Sequence, residues 1–375
     1  MVVIGAGVVG LSLARRLLRE GAAVTVVASD DPGEEIGWAS VAWCNASSKV
    51  RRGYPDHYVR LNVSGVDSVR ALAAELGGSW LEPTGTLEIA AGPEAGRKLA
   101  ADARRLDREF GYPAEILTRE RVAELADVTL RADETAAFFS RDAVVDPVAL
   151  LGRLAAAYRE GGGRLVRDRV VGFERDGAAI RAVRLAGGTA LRAEWVVFAA
   201  GAWTPDLAAA AGIAVAMLPR DDGRVPGLVA AVGHGGRAPG PMLLFPEVMV
   251  RPAGPRRVLL ASDRGDGGVG RASTDEELGA VAEVWRRRAA ARVPALEGSE
   301  VLDLRLGMRA LSGDGLTIAG VPSNTVNAYV LTTHSGFTLA PLLGELAAAE
   351  ICRGEDQDLL TPYRPTRFEK GPGAT

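Results

Sequence analysis

The chain has 375 residues, 47% of them hydrophobic and 24% charged, enough to bury one large core or two smaller ones. Its formal charge of −3 leaves no basic excess to neutralise phosphates, so composition gives no reason to expect nucleic-acid binding. Two cysteines, Cys44 and Cys352, make no disulfide framework, and His57, His234 and His334 lack metal-site spacing, so no metal is expected.

Residues 2 to 4, VVI, read as a short strand of the kind a buried parallel sheet requires. Gly5, Gly7 and Gly10 follow as G-x-G-x-x-G between that strand and a helical pattern, the setting in which this motif holds a dinucleotide. Gly5 permits the tight turn, Gly7 lets backbone approach a pyrophosphate, and Gly10 lets the helix pack against the strand. From 8 to 19 the apolar residues keep helical spacing, with Arg15, Arg16 and Arg19 on the other face. The N-terminus of that helix favours negative charge. Gly21 ends it, and AVTVV at 23 to 27 is the second strand. An acidic residue is expected where that strand ends, to bind ribose hydroxyls. Ala28 stands there instead, with Asp30 and Asp31 next in line for the contact. A glycine-rich turn that binds nothing is the bland alternative, and the segment alone fits NAD or FAD.

Residues 146 to 174 supply a helix beginning near Asp146 and Pro147, a glycine stop at 161 to 163, and another strand. WVVFAAGAWTPD, 195 to 206, is a buried strand running through a small-residue turn into a helix start at Thr204 and Pro205. Between 216 and 300 the runs GLVAAV (227 to 232), MLLF (242 to 245), EVMVRP (247 to 252) and RVLLAS (257 to 262) alternate with turn residues. They read as an antiparallel sheet, followed by a helix from Thr274 to Arg292. Strand-like AYVLTT (328 to 333) then leads through HSGF to a helix over 339 to 351. Several glycine-bearing turns from distant segments suit a long cofactor threaded through one domain. No apolar run reaches the ~18 residues of a membrane span, and a start inside the first strand leaves no room for a signal peptide, so a cytoplasmic protein is expected.

Six segments in collinear order resemble the FAD-dependent D-amino acid oxidase superfamily, which contains glycine oxidase and sarcosine oxidase. They are the N-terminal motif, VVDP at 144 to 147, VVFAAGAWTP at 196 to 205, G-M-R-x-L-x-x-D-G at 307 to 315, THSGFTLAPLLG at 333 to 344, and TPYRPTRF at 361 to 368. The resemblance implies an α/β fold: a Rossmann-like FAD-binding domain assembled from discontinuous segments (1 to 80, 145 to 215 and 301 to 368). It also implies an antiparallel-sheet substrate domain (81 to 144 and 216 to 300), leaving a tail at 369 to 375. It implies that Gly5, Gly7 and Gly10 hold the pyrophosphate and that Val170 lies near the adenine; the family's ribose-binding glutamate falls at Ala28, which leaves Asp30 as the candidate for that contact. Gly201, Ala202 and Trp203 would line the cofactor, and Gly336, Phe337 and Thr338 would lie near the ring system. The loop at 37 to 52 resembles the one passing over the flavin, with Ser40, Trp43, Asn45 and Lys49 as candidates.

For catalysis the resemblance points first to Arg309, whose planar guanidinium suits a substrate carboxylate. Met308 and Ala310 flank it, so the proline of the related G-x-R-P motif is absent, and a structural ion pair is the other reading. Lys49 would stabilise superoxide electrostatically, unless it is a solvated loop lysine. His334 either contacts flavin or substrate or is a satisfied turn histidine. Tyr54, Tyr58 and Arg251 are candidates for the substrate entrance. Members with covalent flavin carry a cysteine where Gly307 aligns, so non-covalent FAD is expected. The implied function is oxidation of the C–N bond of an amino acid or related amine to an imine by hydride transfer to flavin, with molecular oxygen as acceptor giving hydrogen peroxide. The alternatives are a dehydrogenase with another acceptor, a flavin-binding subunit of a hetero-oligomer, and an NAD-dependent dehydrogenase.

Overall fold

The computed structural model describes residues 1–31, 39–236, 240–262 and 268–369. Residues 37 and 38 of the expected flavin loop, and nearly all of the expected tail, lie outside them. One sheet has six strands in the order Ile318–Gly320, Ala328–Thr332, Val196–Phe198, Val2–Ile4, Thr25–Ala28 and Arg164–Arg167. All its pairings are parallel except that of Ile318–Gly320 with Ala328–Thr332. Val2–Ile4 is buried along its whole length between two parallel neighbours, which explains why it is wholly apolar.

Three helices pack beside this sheet: Val8–Arg19, Asp56–Leu76 and Gly336–Arg353. Glycine sets their approach. A Cβ on Gly344 would stand 2.9 Å from the Leu13 nitrogen, and one on Gly65 would stand 2.7 Å from the Thr338 carbonyl oxygen. The last helix begins three residues before the expected start and carries Pro341 inside it. The helix Pro147–Glu160 starts where the sequence indicates, with the Asp146 carboxylate accepting the amides of Val148 and Ala149 at 3.0 Å each.

The second large sheet has eight strands in the order Glu300–Met308, Pro226–Gly233, Arg257–Ala261, Met249–Pro252, Met242–Leu244, Thr86–Ala91, Glu134–Phe139 and Glu115–Leu117. It is antiparallel except where Met242–Leu244 runs parallel to Thr86–Ala91. The expected boundary at 300/301 cuts this sheet. Glu300–Met308 is its edge strand, in register with Pro226–Gly233 so that Gly307 faces Gly227. The helix Asp275–Ala290, closed at its start by a capping box between Thr274 and Glu277, packs on this sheet. A third, small sheet joins Trp43–Cys44, Ala143–Val145 and Leu81–Glu82, which brings the loop after the second strand over the space between the large sheets. Among the described residues no helix is long and apolar enough to cross a membrane.

Candidate active site

A cavity of about 860 Å³ draws its wall from both large sheets and from the loop between them. That is the size class of cofactor and ligand sites. Its first sector is the strand-to-helix turn after Val2–Ile4. Gly5 has φ +113°, and a Cβ there would sit 2.4 Å from the Ala199 carbonyl oxygen, so only glycine fits. Gly7 is on the wall with nothing within 4 Å of where its Cβ would be. Gly10 is not on the wall: its Cβ would lie 2.0 Å from the Gly5 carbonyl oxygen, so its part is to let the helix close on the turn.

The wall continues past Ala28 to Asp30, Asp31, Asp168 and Val170. Asp31 forms an ion pair with Arg167 at 3.1 Å, and Asp30 accepts the Ser29 hydroxyl at 2.7 Å. Two acids thus stand just beyond Ala28. Gly201, at φ +55°, and Trp203 form the next stretch, where the Arg220 guanidinium lies 5.7 Å from the Trp203 ring centroid and also pairs with Asp206. Gly336, Phe337 and Thr338 bring a second helix N-terminus to the wall, and a Gly336 Cβ would be 3.2 Å from Val8 Cγ1. Two helix dipoles therefore converge there.

The loop from Ala39 to Lys49 forms the roof. Ala42, at φ +47°, is the one non-glycine residue with positive φ among those described, a strained conformation held by its amide donating to Ser40 Oγ at 3.0 Å and its carbonyl accepting from Val145 at 2.9 Å. Thr338 Oγ1 accepts the Asn45 amide at 3.2 Å, which fastens the roof to the helix Gly336–Arg353. Lys49 is a buried cation on the wall, its Nζ donating to Ser48 Oγ at 3.3 Å. Behind the roof lies Asp142, fully buried and marked by no motif in the sequence. Its carboxylate accepts Ser47 Oγ and Tyr112 OH at 2.6 Å each and Trp43 Nε1 at 3.3 Å. Burial pushes this acid up to about 6 against the pull of those hydrogen bonds. Burial also pushes the neighbouring Cys44 thiol up to about 12, which makes it inert.

Arg309 lies on the wall where the edge strand ends, donating from Nη1 to the Pro226 carbonyl at 2.7 Å and the Arg224 carbonyl at 3.2 Å. A Cβ on Gly227 would sit 2.8 Å from its guanidinium, so the bare backbone at 227 is its seat. His334 is an exposed part of the wall. Tyr54 is on the wall as expected for the entrance, whereas Tyr58 is buried behind it and donates to Ser335 Oγ at 3.2 Å. Arg251 also departs from its expected place. It is buried away from the cavity, its Nη2 donating to the Val145 carbonyl at 2.5 Å, and burial lowers its pKa to about 10.

The family of FAD dependent oxidoreductases designated DAO matches residues 1–350 of this chain. The chain belongs to this family. Among its relatives is the glycine oxidase of Geobacillus kaustophilus (strain HTA426), 27% identical over 382 residues covering 97% of this chain and 96% of that protein. The crystal structure of glycine oxidase from Geobacillus kaustophilus superposes with a TM-score of 0.83, at 24% identity and 98% coverage of both chains. L-Proline dehydrogenase from P. horikoshii gives 0.82 at 23% identity, covering 99% of this chain and 97% of its own. Both solved structures share this fold. The architecture is the Rossmann-like FAD-binding fold of the family, assembled from separated segments and joined to a mostly antiparallel substrate sheet. The wall fits that cofactor: the space before Gly7 is a cradle that any Cβ would enter, and acids, glycine turns and two helix N-termini succeed one another along it.

Proposed function

We propose that this oxidoreductase oxidises the C–N bond of an amino acid or related amine to an imine, using non-covalently held FAD and passing the electrons to oxygen. The observation that carries this reading is Arg309, a guanidinium seated on bare backbone where the cavity meets the substrate sheet. When bound, the flavin supplies the two-electron acceptor for the substrate C–H bond, and the protein's task is orientation.

In this reading the amides after Gly5 and the N-terminus of Val8–Arg19 hold the pyrophosphate, while Asp30 and Val170 receive the adenosine. Ser40, Gly201, Trp203, Gly336, Phe337 and Thr338 enclose the remainder. Neither Cys44 nor Cys352 is on the wall, which supports a non-covalent hold. Arg309 takes the substrate carboxylate in a bidentate pair. Lys49, buried at the wall, supplies positive charge where oxygen is reduced, and that charge favours oxygen as acceptor. His334 contacts substrate at the exposed part of the wall. Oxidation of the neutral amine needs no protein base.

The test is the anaerobic absorbance spectrum of the purified protein before and after D- and L-amino acids, glycine, sarcosine and simple amines. Bleaching of a flavin band by an amine, reversed by air, is the expected outcome. Bleaching reversed only by a dye would make it a dehydrogenase, and a colourless protein that takes up no FAD would remove the reading. In Arg309→Met, KM for carboxylate-bearing amines should rise by about 100-fold with little change for amines lacking a carboxylate, since a charged hydrogen-bonded pair is worth about 1.5–3 kcal/mol. Equal changes for both would deny Arg309 its role.

A further inference from the structure

The sheet side of the cavity has a chemical gradient that goes beyond the presence of a carboxylate anchor. Gly227, Leu228 and Val229 all border the cavity; alternate residues of a strand face the same side, so Gly227 and Val229 share one face, while Leu228 also belongs to the core on the sheet's other face. Met249 and Ala261 face each other across neighbouring strands and are also on the wall. These two share one apolar cluster with Val41 and Trp43 of the roof. The indole nitrogen of Trp43 is spent behind the roof, donating to Thr86 Oγ1 at 3.0 Å and to Asp142, so the ring turns carbon toward this cluster. The wall therefore passes from the Arg309 guanidinium over bare backbone at Gly227 to Val229, Met249 and Ala261, with Val41 and Trp43 above.

We infer that the amine taken here carries a carboxylate and an apolar side chain, the carboxylate on Arg309 and the side chain between Met249, Ala261 and the roof. This rests on the proposed amine oxidation and narrows its substrate class. Against Val229, Met249, Ala261, Val41 and Trp43 an acidic or basic side chain would have to shed its water for aliphatic and aromatic carbon. Glycine and sarcosine would leave the apolar cluster without a partner.

Equilibrium binding of amine-free acids tests the pocket without turnover. Acetate, butanoate, 4-methylpentanoate and succinate are titrated into the FAD-loaded protein, with the flavin band and the thermal midpoint as readouts. Each buried methylene should tighten binding about fourfold, so 4-methylpentanoate should exceed acetate by at least tenfold and succinate should be weaker than butanoate. In Ala261→Met, which fills the cluster, 4-methylpentanoate should lose at least tenfold more affinity than acetate. Equal binding of acetate and 4-methylpentanoate, or preference for succinate, would overturn the inference. Its failure is separable from that of the proposed function. If leucine bleaches the flavin at least tenfold faster than glycine and glutamate, both stand; if glycine or glutamate is fastest, only the substrate class falls. If no amine bleaches while 4-methylpentanoate still binds tightly through Arg309 and Ala261, the apolar site stands and amine oxidation falls.

Discussion

Asp142 lies off the cavity wall yet fixes what lies on it. Three donors, two hydroxyls and an indole, converge on its carboxylate, and two of them, Ser47 and Trp43, belong to the roof. Its titratable surroundings are Tyr112 and the Cys44 thiol, with Lys49 and Arg70 as the cations that act on that thiol. Because burial raises its pKa from 3.8 to about 6, the folded chain holds its proton more tightly than the unfolded chain. That stability is complete below pH about 4 and is lost as pH rises through about 6. Asp142→Asn removes the titration. Between pH 4.5 and 7 the wild type should lose about 2 kcal/mol relative to the variant, read from paired denaturation curves. A stability gap that stays constant over that interval would place the titration elsewhere. No motif announces this acid, because its partners Ser47 and Tyr112 are 95 and 30 residues away in sequence.

The strand, turn and helix at residues 2 to 19 contain two glycines whose requirements differ and can be separated. Gly10 faces the Gly5 carbonyl so closely that neither backbone can yield, so Gly10→Ala should cost at least about 2 kcal/mol of folding stability. Gly7 has an extended backbone, φ −75° and ψ −179°, that any residue adopts, with open space where its Cβ would stand. Gly7→Ala should therefore fold to within about 0.5 kcal/mol of the parent when stripped of FAD, yet bind FAD at least tenfold more weakly. Melting of the stripped variants and a fluorescence titration with FAD check both halves. Loss of stability in Gly7→Ala without loss of affinity would show that the cofactor passes elsewhere. This unit was legible to the residue, since its strand, turn and helix are each dictated by neighbours in sequence, and the helix runs Val8–Arg19 as its spacing requires. The same holds for the helix start near Asp146, whereas Gly336 to Thr338, expected as a turn, are already the first turn of their helix. Legibility failed where pairing partners are distant. Glu300–Met308 alternates like any edge strand, and only its register with Pro226–Gly233 assigns it to the substrate sheet. Arg251 is expected at the substrate entrance, but it lies two residues along the strand from Met249, off the cavity wall, where its guanidinium is taken up by the Val145 carbonyl.

At the scale of the whole molecule, the cavity depends on two large cores that are held together differently. One core joins the helices Val8–Arg19, Asp56–Leu76 and Gly336–Arg353 beside the six-stranded sheet; the other lies between the eight-stranded sheet and the helix Asp275–Ala290. The second has a buried ionic tie. Arg292 pairs with Glu134 at 2.7 Å and Glu247 at 3.4 Å, donates to the Thr129 carbonyl at 3.2 Å, and lies 4.4 Å from the Phe245 ring centroid. It thus joins stretches of chain near residues 129–134, 245–247 and 292, which are distant in sequence. The Glu134 side chain is fully buried, so Arg292→Met would leave a charge without its partner and should cost about 3–5 kcal/mol. Arg105→Met, which removes exposed partners, should cost no more than about 1 kcal/mol. Arg292→Met with Glu134→Leu should recover much of the loss, because the stranded carboxylate is gone. Gly227, Val229, Met249 and Ala261 stand on the sheet this tie supports, whereas Gly5, Gly7 and Gly336 stand on the other core. In urea, Arg292→Met should therefore lose carboxylate binding at a lower concentration than it releases flavin. Loss of both at one concentration would show that the two cores unfold as a single unit, with the substrate sheet stabilised as much by its contacts with the FAD-binding segments as by its own buried charge.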